Sequence, residues 1–196
     1  MKIITCTIVL ILMLVNNSFG QQGKLKETII IRTGLGEIQA ELYLNMAPVT
    51  SGNFLRYVDA GLFDSSCFYR VVRMDNQPKD SVKIEVIQGG LYNNEDKGFP
   101  PIIHETTEMT SILHTDGTIS MARYTPGSAT SEFFICVGDQ PELDFGGKRN
   151  PDRQGFAAFG KITKGMEVVR RIHSINASAQ YLETPVLIYE IVRAVK

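Results

Sequence analysis

Apolar and polar positions alternate in short runs along most of this chain. The clearest run is Gly36–Tyr43, where Ile38, Ala40 and Leu42 face one way and Glu37, Gln39 and Glu41 the other. Thr28–Thr33 is a strand of the same kind, and Gly34-Leu35-Gly36 reads as the turn of a hairpin between the two. Further strand-like runs occupy Cys67–Val72, Lys83–Gln88, Gly117–Ala122, Glu132–Val137, Gly155–Lys161 and Pro185–Val195. Two stretches change period. After Pro48, a residue suited to a first helical turn, Phe54, Leu55, Val58 and Leu62 recur at helical spacing, and Gly61 supplies a stop. A second helix is predicted from Gly165, with Met166, Val169 and Ile172 on one face. Many strands with two separated helices and no strand–helix alternation predict antiparallel β structure with helices at its ends or on one side.

The chain has 196 residues, enough for one domain with a full core, and 43% hydrophobic with 21% charged residues is ordinary globular composition. A formal net charge of −1 offers no basic excess for nucleic acid. The first twenty residues stand apart. Lys2 precedes an apolar stretch from Ile3 to Val15, followed by polar residues and the small Ser18 and Gly20. This is the pattern of a secretory signal, residues 1–20, with cleavage expected after Gly20. The apolar run is short for a bilayer span, so no membrane association is expected after cleavage. Residues 21–26 form a tether and 27–196 the domain. The remaining cysteines, Cys67 and Cys136, sit in apolar runs and are expected as unpaired core thiols.

Two segments concentrate the candidate chemistry. Phe68-Tyr69-Arg70 is followed downstream by Gln88-Gly89-Gly90, and Gly117–Ala122 runs on to Ser131-Glu132-Phe133-Phe134-Ile135. They offer one guanidinium, one amide and several apolar side chains, with no nucleophile and no metal cluster. His104, His114 and His173 lie in no recognisable nucleophile context and are expected to be structural or exposed. Asp139, Asp144 and Asp152 miss the spacing of a calcium loop, and Pro126-Gly127-Ser128 lacks the continuation of a phosphate loop. No cofactor and no metal are expected. The inventory suits a reaction that makes and breaks no covalent bond. Two polar, turn-rich loops, Arg73–Ser81 and Phe145–Gln154, lie within the same region.

The order of these pieces resembles the cyclophilin family of peptidyl-prolyl cis–trans isomerases. Ala47–Thr50 through Asn53-Phe54 looks like its first-helix motif, and Phe68-Tyr69-Arg70 is similar to its Phe-His-Arg. Ile87–Gly90, Ser120-Met121-Ala122 and Ser131–Ile135 match further motifs, and Leu143-Asp144, Phe159-Gly160 and Lys164–Met166 follow in family order, so the likeness covers roughly residues 28–195. It implies a mainly β fold, a closed eight-stranded antiparallel β-barrel capped by two α-helices, with the site on the outer face. It also implies an isomerase of Xaa-Pro bonds that assists folding, and the signal-like start adds an exported compartment, periplasmic or secreted. The partners would be proline-containing polypeptide segments, and the protein a monomer.

By the same resemblance Arg70 is the catalytic donor, Gln88 orients it and binds substrate backbone, and Phe134, Met121 and Leu143 hold the proline ring. Ala122 and Arg123 offer backbone groups to an extended peptide, and Tyr69, Glu132 and Phe156 complete the binding set. The chain departs from the family at several positions. Tyr69 replaces a His, Glu132 a Gln, Glu142 a Trp and Phe156 a second His. Ile84, Glu85 and Val86 stand where an aromatic residue is usual. A pocket shallower on one side and weak binding of cyclosporin are expected from these changes. The alternative is a proline-peptide binding module or chaperone with little catalysis, whereas a ligand carrier with a hollow barrel would need a large apolar cavity.

Overall fold

A computed structural model describes residues 26–194; the expected signal and most of the tether lie outside them. The strands are β1 (Glu27–Thr33), β2 (Gly36–Leu42), β3 (Ser66–Val72), β4 (Val86–Gly90), β5 (Thr118–Met121), β6 (Phe133–Cys136), β7 (Ala157–Lys164), β8 (Ala177–Ser178) and β9 (Tyr181–Arg193). They join in the order β1-β2-β7-β5-β6-β4-β3-β9-β8, and β1 pairs with β9 as well. That last pairing closes eight strands into an antiparallel barrel and leaves β8 as a short flap hydrogen-bonded to β9.

Helix α1 (Pro48–Asp59) buries Phe54, Leu55, Tyr57 and Val58 against the barrel. Its N-cap residue is Ala47, whose side chain cannot cap. The carboxylate of Glu105 does so from a distant loop, accepting from Val49 N–H (3.1 Å), Thr50 N–H (2.8 Å) and the Thr50 hydroxyl (2.6 Å). An anion there also suits the positive end of the helix. Helix α3 (Met166–His173) buries Val168, Val169 and Ile172. A single-turn helix, α2 (Thr107–Thr110), adds to the two predicted from sequence; four residues carry no helical period to read.

Two boundaries move for physical reasons. β4 begins three residues later than its apolar run suggests and includes both glycines, because Gly89 pairs with Phe68 and Gly90 with Cys67. A Cβ on Gly89 would stand 2.9 Å from the Cys67 carbonyl, so only glycine fits that crossing. β9 begins at Tyr181 rather than Pro185; the proline falls where the β3–β9 register slips between Phe68–Val186 and Arg70–Tyr181, a place where a missing N–H breaks no ladder bond.

The main core fills the barrel. Phe54, Phe68, Phe133 and Phe159 pack there, with Phe54 meeting Phe133 edge-on at 5.2 Å. A second, smaller apolar cluster lies outside the barrel wall: Val72, Ile84, Val86, Phe134, Cys136 and Leu143, with Ala122 and Phe156 against it. Among the described residues Cys67 is half-buried, Cys136 is buried, and both thiols are free.

Candidate active site

One row of cross-strand partners builds the site. Arg70 on β3 lies opposite Gln88 on β4, Gln88 opposite Phe134 on β6, and Phe134 opposite Ser120 on β5. Side chains in one such row share a face, and here it is the outer one.

A bulge sets the polar end of the row. Phe68 pairs with Gly89 and Arg70 with Gln88, which leaves Tyr69 as an extra residue. Strict alternation would turn Tyr69 inward. Instead Phe68 and Val71 join the barrel core, while Tyr69 and Arg70 both border the same cleft and Val72 joins the outer cluster. The cleft, of about 330 Å³, is floored by Phe134, Leu143, Val86 and Ile84 and walled by Ala122 and Phe156. Phe156 meets Phe134 edge-on at 5.3 Å.

The polar side chains form a chain of hydrogen bonds. Arg70 Nη1 donates to Gln88 Oε1 (2.7 Å), Gln88 Nε2 donates to the Tyr69 hydroxyl (2.7 Å), and that hydroxyl donates to Glu132 Oε2. Glu132 Oε1 also accepts from Tyr92 N–H (3.1 Å) and the Ser131 hydroxyl (3.2 Å). The acid at Glu132 thus reaches Arg70 through two intermediaries, and Gln88 uses both ends of its amide. Burial holds the Arg70 guanidinium below its ordinary pKa, although it remains charged at neutral pH. Burial first, and Glu132 second, push the Tyr69 phenol far above its usual range. Its ring stacks on Tyr92 at 4.2 Å and lies nearly parallel to Tyr181 at 6.3 Å.

Other predicted site residues have different placements. Met121 is fully buried in the barrel core, paired with Phe133 and Ala157, and does not line the cleft; it neighbours Ser120 on the strand and so faces the opposite side. The N–H of Ala122 donates to the Glu132 carbonyl (2.8 Å) and prolongs the β5–β6 ladder, so it is not open to a peptide. The Arg123 side chain grips Asp152 with both ends of its fork (2.8 and 2.9 Å) and gives Nε to the Gly155 carbonyl (2.8 Å). It therefore pins the loop before β7 against the cleft and lies over the Phe156 ring at 5.2 Å. Glu142 turns away and accepts from Lys148 N–H (2.7 Å).

Three features escaped sequence reading. The two polar loops meet: Arg149 Nη1 donates to Gln77 Oε1 (3.1 Å) and the Val82 carbonyl (2.6 Å) and pairs with Asp80 (3.3 Å), so Arg149 and Asn150 join the cleft wall. His114 lies 2.7 Å from Asp144 through Nδ1 and 2.9 Å from the Ser120 hydroxyl through Nε2. That is the order of a nucleophile relay, but Ser120 is 0% exposed under Phe134, so the trio satisfies buried polar groups and presents no nucleophile to solvent. Finally, Gln180 accepts from Arg70 Nε (3.0 Å) and Nη2. Among the described residues no group of metal-binding side chains forms, and no helix is long and apolar enough to cross a membrane.

Comparison with known proteins yields one family. A family model described as cyclophilin type peptidyl-prolyl cis-trans isomerase matches residues 28–193. A peptidyl-prolyl cis-trans isomerase of Acinetobacter baylyi is 38% identical over 152 residues, 76% of this chain and 72% of that protein. Peptidyl-prolyl cis-trans isomerase B of Escherichia coli is 30% identical over 151 residues, 75% of this chain and 84% of that one. A crystal structure of a cyclophilin type isomerase from Cryptosporidium parvum, obtained in the presence of the dipeptide Ala-Pro, superposes with a TM-score of 0.68 at 21% identity over 87% of this chain and all of the other, a likeness of fold.

Proposed function

Because this chain belongs to the cyclophilin-type peptidyl-prolyl cis–trans isomerase family, we propose that the outer-face cleft accelerates rotation about Xaa-Pro bonds with Arg70 as its donor. The observation that carries the reading is the Arg70–Gln88–Phe134 row, a fixed guanidinium beside an apolar floor.

The planar amide resists rotation by about 18–20 kcal/mol because its nitrogen lone pair is delocalised. At proline the uncatalysed exchange takes roughly tens to hundreds of seconds. Twisting the bond returns the lone pair to nitrogen, so a donor aimed at that atom binds the twisted state more tightly than the planar one. Arg70 supplies the donor, Gln88 holds it, and Phe134, Leu143, Val86 and Phe156 receive the ring. With the ring held, the rest of the substrate turns about the bond. No covalent intermediate and no proton transfer is required.

The signal-like residues 1–20 support export; the substrates proposed are flexible, proline-containing segments of folding proteins, and the enzyme is proposed to be a monomer. The relay of Tyr69 and Glu132 favours a second reading, a peptide-binding module, because it fixes Gln88 Nε2 on Tyr69 rather than leaving it to a substrate. Exchange NMR on a short Xaa-Pro peptide separates the two. Wild type accelerates exchange and Arg70→Ala does not if the enzyme reading holds. Equal exchange in both proteins removes Arg70 from the mechanism, and binding without acceleration supports the module.

A further inference from the structure

We infer that Gln180, in the two-residue turn between β8 and β9, is a positioning residue for Arg70, held in place by the loop that follows β3. The inference rests on the reading of Arg70 as the donor to the prolyl nitrogen.

A guanidinium on a long stem must be aimed before it can favour a twisted bond, since misplacement of a donor costs rate steeply. Gln88 takes only Nη1, and a single acceptor lets the plane swing about that contact. Gln180 Oε1 takes Nε and Nη2, the opposite edge of the fork. Acceptors on two edges fix the plane. Of the five N–H groups of an arginine, these bonds engage three and leave two for a substrate. Both acceptors are amide carbonyls, which orient the cation without neutralising it as a carboxylate would.

Gln180 is itself secured. Its carbonyl accepts from Val71 N–H (2.8 Å), the residue after Arg70, and its Nε2 donates to the Asn76 carbonyl (3.3 Å). Asn76 returns to the same strand end: its Oδ1 accepts from Arg73 N–H (2.8 Å) and its Nδ2 donates to the Val71 carbonyl (3.0 Å). Ala179 completes the turn in the left-handed region at φ 55°, which presents Gln180 to β3. The strand that carries Arg70, the polar loop and the hairpin thereby close a ring of hydrogen bonds around the guanidinium.

The test compares wild type, Arg70→Ala, Gln180→Leu and Gln180→Glu for exchange of an Xaa-Pro peptide, and follows the Arg70 Nε–H resonance by 15N NMR. Gln180→Leu is expected to lower kcat roughly tenfold with KM within twofold, and its Nε–H should lose protection from solvent exchange. Gln180→Glu keeps an acceptor there, so its Nε–H should stay protected and part of the lost kcat should return. Wild-type kcat in Gln180→Leu, or an Nε–H still protected in it, overturns the inference. If Gln180→Leu does not fold, loss of Nε–H protection in Gln180→Ala supports the inference and retention overturns it. If Arg70→Ala retains the wild-type rate, the donor reading fails by itself, and Nε–H protection still decides whether Gln180 holds the side chain.

Discussion

Arg70 and Gln88 lie opposite each other in the β3–β4 ladder, and Nη1 of the first donates to Oε1 of the second at 2.7 Å. A lysine at position 70 would keep the charge but not the planar fork that two glutamines grip from different edges. Arg70→Lys is therefore expected to lose roughly tenfold or more in kcat/KM, with an unfolding midpoint in urea close to wild type. Activity near wild type in that variant would show that charge alone suffices.

The Tyr69 hydroxyl links Gln88 Nε2 to the Glu132 carboxylate. Tyr69→Phe takes one hydrogen bond from each of two half-buried side chains, Gln88 and Glu132, and should cost about 1–2 kcal/mol in urea unfolding.

The same phenol governs stability at alkaline pH. Its pKa in the folded protein is raised by burial and by Glu132, whereas in the unfolded chain it ionises near roughly 10. Below that pH both states hold the proton, and stability is unaffected. Above it the unfolded state binds fewer protons than the folded one, so stability falls as pH rises. Tyr43 and Tyr57 are raised as well and contribute to the fall. The loss between pH 8 and 10.5 should be smaller in Tyr69→Phe than in wild type, measured by denaturant midpoints.

Met121 packs in the barrel core with Phe133. Met121→Ala should cost about 2–5 kcal/mol through the cavity it leaves, with KM for an Xaa-Pro peptide unchanged below the melting transition. A raised KM in the folded variant would place Met121 back in the binding cleft.

Helix α1 depends on Glu105 for its first turn. Glu105→Ala removes three hydrogen bonds to its carboxylate and leaves the buried Thr50 N–H unsatisfied, so a loss of about 2–3 kcal/mol is expected by calorimetry or urea. The carboxylate is far from Arg70 in chain and function, and kcat should be retained at low temperature.

The barrel was legible because its strands alternate: Ile38, Ala40 and Leu42 declare an inner face without any partner strand in view. The cleft was legible only in its types of residue. Which side each takes depends on the bulge at Tyr69, and an extra residue in a ladder leaves no mark in a single strand's pattern. Met121 and Phe134 show the same limit. Both are apolar residues of a motif, and only registry with Phe133 and Gln88 sends one inward and the other out. The contact of Gln180 with Arg70 spans 110 residues and runs through a turn that its own sequence, Ser178-Ala179-Gln180-Tyr181, does not distinguish from a loop. The join of Arg149 to Gln77 and Asp80 is likewise a meeting of two irregular segments, for which no period exists to read.

The small apolar cluster under the cleft touches the barrel wall from outside and shares no space with the packing of Phe54, Phe68 and Phe133. Architecture and chemistry are thereby kept in separate compartments of one sheet. A change at Glu132 or Phe156 would therefore reshape the cleft without disturbing the packing of Phe54, Phe68 and Phe133, so a new specificity need not cost foldedness.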